Sequence, residues 1–339
     1  MLPSVIVTAV SRHQQFDVDE GADLVEIVRE ESLPESIQPL LAEYETTVGD
    51  RDPYLWQWLA HLFPTFTLSC VDDGRRERTQ EAKLLASLFV TTIDDLAERH
   101  GDEATFREAT KIPFDHATAD PNRAGVDADV IRYLESVWEA AEERLAESPR
   151  YEEFSDLLRF DLEQIVAAMT YAGLADDHLG IVSMDDLWRY DVHNMMICFY
   201  ATVDLCNASA FDATELAGLR RVVAHAQRLA RICNWLVTWE RELEEGDPVS
   251  GVVVHALETG VVSFDQLRAV QADPTPETVE PVVDTIRDSH AETHFLERWH
   301  AEYDAAASHT DGVESVDLET YLEAFDPILD YHLESRGLL

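Results

Sequence analysis

The stretch Asn234-Trp-Leu-Val-Thr238-Trp-Glu-Arg241-Glu242 sets an amide, a hydroxyl and a carboxylate at intervals of four residues. On a helix of 3.6 residues per turn those three side chains stack along one face, so their oxygens point into one space. Oxygen donors with a single carboxylate suit a hard cation such as Mg²⁺, which keeps some water and shares the rest of its shell with substrate phosphate. The alternative is an amphipathic helix carrying a polar stripe. Of the asparagines, Asn122, Asn194, Asn207 and Asn234, only the last is followed by a hydroxyl at the fourth place and a glutamate at the eighth.

Upstream, the apolar run beginning at Phe89 ends in Asp94-Asp95-Leu-Ala-Glu98, with Asp94 and Glu98 one turn apart. In a chain with 68 acidic residues such a cluster also fits a solvated helix end. Two oxygen clusters on separate helices facing one cavity would hold several Mg²⁺ ions around a diphosphate. Together these residues resemble the class I terpene synthase (terpenoid cyclase) family. There an Asp-Asp-x-x-(Asp/Glu) motif faces an Asn/Asp-x-x-x-Ser/Thr-x-x-x-Glu motif. The separation here, 234 − 94 = 140 residues, is of the family's usual size, and the resemblance spans most of the chain.

The resemblance implies a single all-α domain over 1–339, a class I terpenoid synthase-like helical bundle with a central active-site cavity, residues 1–50 forming an N-terminal segment. It implies Asp94, Asp95, Glu98, Asn234, Thr238 and Glu242 as metal ligands. The ions would be Mg²⁺, three in number, with Mn²⁺ as a substitute. Arg241 matches the basic residue the family places before the final glutamate to bind diphosphate. Arg189 lies 234 − 189 = 45 residues before Asn234, where bacterial members carry a diphosphate-sensing arginine with a planar fork of donors. A surface partner to neighbouring acids is the other reading of Arg189. Trp235 stands where the family often has aspartate. The stretch Ala305 to Gly312 lacks the Arg-Tyr pair often found there, which leaves Arg298 or Arg336 as donors for closure over the diphosphate.

The expected activity is ionisation of a linear isoprenyl diphosphate, farnesyl or geranylgeranyl, followed by cyclisation of the carbocation and release of diphosphate. Aromatic faces steady such a cation. Phe89, Phe199, Trp235 and Trp299 are the candidates to line the cavity, or else ordinary core. Two alternatives are a prenyl-transfer or condensing enzyme of the same fold and a non-catalytic helical protein that binds isoprenoid diphosphate. Asp176-Asp177 and Asp185-Asp186 both lack the closing acid of a second aspartate-rich motif, which counts against transfer. Asp17-Val-Asp-Glu20 falls short of the acid motif of protonation-initiated cyclases.

Apolar spacing is helical nearly throughout. Helices are expected at about 52–70, 77–99, 127–147, 151–173, 184–208, 212–245, 276–308 and 316–335, with shorter ones at 103–110, 249–259 and 263–271. Gly101-Asp102, Gly246-Asp247-Pro248 and Asp273-Pro-Thr-Pro276 punctuate them. No internal repeat or linker divides the chain.

The charge is lopsided. Twenty-five basic against 68 acidic residues give a formal net charge of −43, and Lys83 and Lys111 are the only lysines. Such a surface repels itself in dilute buffer and is tolerated where salt screens within about 3 Å, as at 1 M. We therefore expect a halophile's cytoplasmic protein, monomer or homodimer, with no affinity for nucleic acid or anionic membrane. Cys70, Cys198, Cys206 and Cys233 show no Cys-x-x-Cys spacing and read as thiols in a reducing compartment. The N-terminal apolar run has no basic residues before it and is a poor signal peptide. No stretch reaches membrane-spanning length. Neither a His-Glu-x-x-His motif, a phosphate-binding glycine loop nor a Gly-x-Ser-x-Gly elbow occurs.

Overall fold

A computed structural model describes residues 26–49 and 51–327, all helix and loop with no strand among them. The motif helices are two of the long walls of the body. α3 (Arg76–Glu98) follows α1 (Gln38–Thr47) and α2 (Tyr54–Leu62) and precedes α4 (Glu103–Ala109). Next come α5 (Ala128–Ala146), α6 (Tyr151–Asp177), α7 (Met184–Arg189) and α8 (Ile197–Cys206). α9 (Leu216–Glu244) carries the Asn234 motif, and α10 (Gly251–Glu258), α11 (Phe264–Ala272), α12 (Pro276–Arg287), α13 (Ala291–Ala307) and α14 (Leu318–Glu323) complete the order.

Starts and stops follow local chemistry. Asp102 and Asp127 cap α4 and α5 by accepting backbone N–H bonds from Thr105 and from Asp129 and Val130. α9 ends where Gly246 takes φ +86, a conformation that costs a residue with a Cβ. The amide of Gly246 then bonds the Leu243 carbonyl at 3.1 Å and that of Asp247 bonds the Glu242 carbonyl at 2.8 Å. This paired closure turns the chain back over the last turn, so Asp247 returns to the end of the Asn234 face.

α3 packs most broadly on α5, α9 on α13, and α8 joins both walls and α6. Two buried ion pairs tie these elements together. Lys83 of α3 meets Asp204 of α8 at 2.7 Å with both side chains fully buried, and Asp204 also accepts the Leu68 amide. Arg220 of α9 grips Asp161 of α6 with two bonds of 2.7 Å. Removing one partner of such a pair strands a buried charge, so these contacts fix the register of the walls.

Four expected helices differ. The span 184–208 is broken into α7, a 3₁₀ turn over Asp191–Met195, and α8. The break ends at Met196, φ 58, the one non-glycine residue with positive φ among the described residues. Neither proline nor glycine marks it. Buried Gln227 of α9 instead accepts the Cys198 amide at 3.0 Å, anchoring a new helix start. The span 276–308 splits at Asp288 to His290, and 52–70 shortens to α2. Of 316–335, the described part contains α14, which stops at Glu323; the end of that span, Arg336 and the acids at 17–20 lie outside the described residues. The four cysteines are free thiols, and no described helix is long and apolar enough to cross a membrane.

Candidate active site

A cavity of about 820 Å³ lies between α3 and α9, closed by α2, α6, the 3₁₀ turn and α8. Asn234, Thr238, Arg241 and Glu242 line it from α9, and Asp94 and Glu98 from α3. The two motif faces therefore open into one space. At one side the wall is apolar: Leu55, Trp58 and Leu59 of α2, Phe63, Phe66 and Met169.

The acids in this space repel one another. Burial pushes Asp94 up to about 6, with Arg51 restraining the rise and Asp95 adding to it. Asp247 is pushed up to about 7 by burial and by Glu242. Glu98 keeps accessible surface, yet the protein around its carboxylate and the charges of Asp94, Asp247 and Glu242 raise it well above the ordinary range. Burial also raises Glu242, while Arg231 and the Thr238 hydroxyl pull it back. Asp94 Oδ1, Asn194 Oδ1 and Ser250 Oγ are buried on the cavity wall with no hydrogen-bond partner among the described residues. A cluster of unpaired oxygens short of positive charge suits a hard divalent cation. Among the described residues no three His, Cys, Asp or Glu side chains converge tightly enough to enclose an ion.

Sequence reasoning missed Arg231. Its fork meets Asp191 twice, Nε to Oδ2 and Nη2 to Oδ1, both at 2.6 Å, and Nη1 donates to Asn234 Oδ1 at 2.7 Å. Position 231 is three before Asn234, so the helix brings the two together. That spacing was the available signal. Asp191, Asp176, Asp177 and Asp247 also reach the cavity from other elements.

Several expected site residues lie elsewhere. Asp95 faces away, fully buried in an ion pair with Arg51, Nη2 to Oδ1 at 2.6 Å, with Arg99 at 3.5 Å. One helical step turns it about 100° from Asp94. Arg189 is exposed and outside the cavity wall, its guanidinium over the Tyr190 ring. Arg241 is on the wall but bonds Glu245 at 2.7 Å.

None of the four expected aromatics lines the cavity. Phe89, five positions before Asp94, is turned roughly 140° from it and packs on Trp138. Phe199 is core beside Tyr200, and it is Tyr200 that faces the cavity. Trp235 edges onto Trp188 and Phe295 and fills the space over Gly251, where a Cβ would meet its ring at 2.4 Å. Trp299 is core stacked on Tyr303. Arg298 bonds Glu302 and lies off the cavity wall.

The fold is similar to that of a geranylgeranyl pyrophosphate synthase from Corynebacterium glutamicum, with a TM-score of 0.56 at 13% identity over 97% of this chain and 99% of that one. It is similar too to a farnesyl diphosphate synthase from T. brucei, TM-score 0.55 at 10% identity over 96% and 99%. The chain thus has the all-α fold of isoprenyl diphosphate synthases along its whole described length. No family model matches the sequence, and no curated protein matches it by sequence.

Proposed function

We propose that the chain is a Mg²⁺-dependent enzyme that ionises a linear isoprenyl diphosphate. The observation that carries this reading is the convergence of Asp94 and Glu98 with Asn234, Thr238 and Glu242 on one cavity that has an apolar side. The cavity's size is in the range of small-molecule sites. Asp94, Glu98, Asn234, Thr238 and Glu242 would hold the ions, which when bound neutralise charge developing on the departing diphosphate. Arg241 and Arg231 supply donors for diphosphate oxygens. Trp58, Phe63, Phe66 and Tyr200 take over the part expected of Phe89, Phe199, Trp235 and Trp299: they keep water off an allylic cation and present ring faces to it.

Two fates of that cation are open to this site. Cyclisation, as in class I terpene synthases, is supported by the Asn-Thr-Glu spacing on α9. Transfer to a second isoprenyl diphosphate is supported by the likeness to a geranylgeranyl and a farnesyl diphosphate synthase. The fold comparisons favour transfer over cyclisation, and Asp176 and Asp177 reach the cavity wall, although they lack the closing acid of a second aspartate-rich motif. Incubation with geranyl, farnesyl and geranylgeranyl diphosphates, each with and without isopentenyl diphosphate, decides between the two. Longer diphosphates formed only with isopentenyl diphosphate establish transfer. A cyclic hydrocarbon or alcohol formed without it establishes cyclisation. A folded protein that binds diphosphate with Mg²⁺ but turns over none of them contradicts both.

A further inference from the structure

Arg231 lies largely covered on the wall of the acidic cavity. Desolvation works against its charge, and Asp191, Glu242 and Glu98 restore it. Asp94 feels the same guanidinium. A buried cation is retained only where its partners are well placed, and here all three prongs are used. Two go to Asp191 on the 3₁₀ turn; the third goes to the side-chain oxygen of Asn234, the residue that starts the α9 motif.

We infer that Arg231 is a resident counter-ion that occupies Asn234's amide oxygen and makes divalent-metal loading conditional on diphosphate. The inference rests on the proposed function and assigns a positioning role within the same site. A divalent ion on the Asn234 oxygen would sit within a few ångströms of the guanidinium, and two positive charges that close repel strongly in a protein interior. Diphosphate changes the balance in two ways: its negative charge compensates both cations, and its oxygens offer the fork an acceptor at least as good as an amide. Without it, Arg231 already neutralises part of the carboxylate charge that would draw a metal in. By linkage, the metal and diphosphate must then strengthen each other's binding by the same factor, and Arg231 is the source of much of that coupling.

The test is Mn²⁺ binding to the purified full chain by electron paramagnetic resonance in molar KCl, with and without inorganic diphosphate, with folding checked by circular dichroism. Wild type should bind Mn²⁺ weakly alone and on the order of tenfold or more tightly with diphosphate. Arg231→Gln should bind Mn²⁺ alone about tenfold more tightly than wild type and gain less from diphosphate. Arg231→Lys keeps the charge but not the fork and should bind Mn²⁺ alone with an affinity between those of wild type and Arg231→Gln. If Arg231→Gln does not fold, Arg231→Gln with Asp191→Asn removes both members of the ion pair and should show the same tightening. Folded Arg231→Gln, or the double variant, that binds Mn²⁺ no more tightly than wild type, while diphosphate still promotes binding in wild type, overturns this inference and leaves the proposed function standing. Folded wild type that binds no Mn²⁺ even with diphosphate overturns both.

Discussion

Arg51 holds Asp95 in a two-pronged ion pair, Nη2 to Oδ1 at 2.6 Å, while the adjacent Asp94 turns to the cavity with Oδ1 unpartnered. Neighbouring aspartates thus have different work. Asp94→Asn should abolish diphosphate release and leave the denaturation midpoint unchanged or raised, because burial already disfavours its charge. Asp95→Asn should cost about 3 kcal/mol by stranding Arg51 and leave release largely intact in the folded fraction. Paired denaturation curves and release assays check this; equal loss of release in both variants contradicts the division.

Raised carboxylates give the metal-free protein a definite pH dependence. Asp94, Glu98, Glu242 and Asp247 all have folded pKa values above their unfolded ones, so the folded state binds more protons. Their contribution is fully present below the ordinary carboxylate range and is lost as pH rises through about 6 for Asp94 and about 7 for Asp247. Thermal unfolding at fixed salt should therefore show higher stability at pH 5.5 than at pH 8. Mg²⁺ with diphosphate should flatten that slope by replacing protons with metal. A metal-free protein more stable at pH 8 would contradict the cluster.

Core and cavity aromatics should separate cleanly under mutation. Trp235→Ala removes a fully buried ring and should cost about 3–5 kcal/mol, without changing the product spectrum of the molecules that remain folded. Trp58→Ala and Phe66→Ala also remove buried rings, but they enlarge the cavity and should alter product composition by gas chromatography in the folded fraction.

A net charge of −43 predicts that the melting temperature climbs steeply between about 0.1 and 2 M KCl, where the screening length shrinks several-fold. Sucrose at matched osmolality should raise it much less. A flat response to KCl contradicts the screening argument.

What the sequence made legible was what one helix determines by itself. Asn234, Thr238 and Glu242 share a face because 3.6 residues make a turn, and the same rule links Asp94 to Glu98. Read fully, the rule also turns Phe89, Asp95 and Trp235 off those faces, and it brings Arg231 beside Asn234. Other parts of the site depend on packing between elements. Asp191 reaches the cavity through a helix break that no proline or glycine announces, and Asp247 through the paired closure at Gly246. Trp58 belongs to α2 and Phe63 directly follows it, a stretch whose sequence, with no charged ligand, points to no site.

The central claim is that the Asn234 face and the Asp94 face act together on an isoprenyl diphosphate. It is tested most directly by inorganic diphosphate release from farnesyl and geranylgeranyl diphosphates in molar KCl, with Mg²⁺ or with chelator, for wild type, Asn234→Ala and Asp94→Asn. The account predicts release from wild type that needs Mg²⁺ and falls at least about a hundredfold in either variant, at unchanged helical content. Release that survives both substitutions, or none from folded wild type with any chain length, would contradict it.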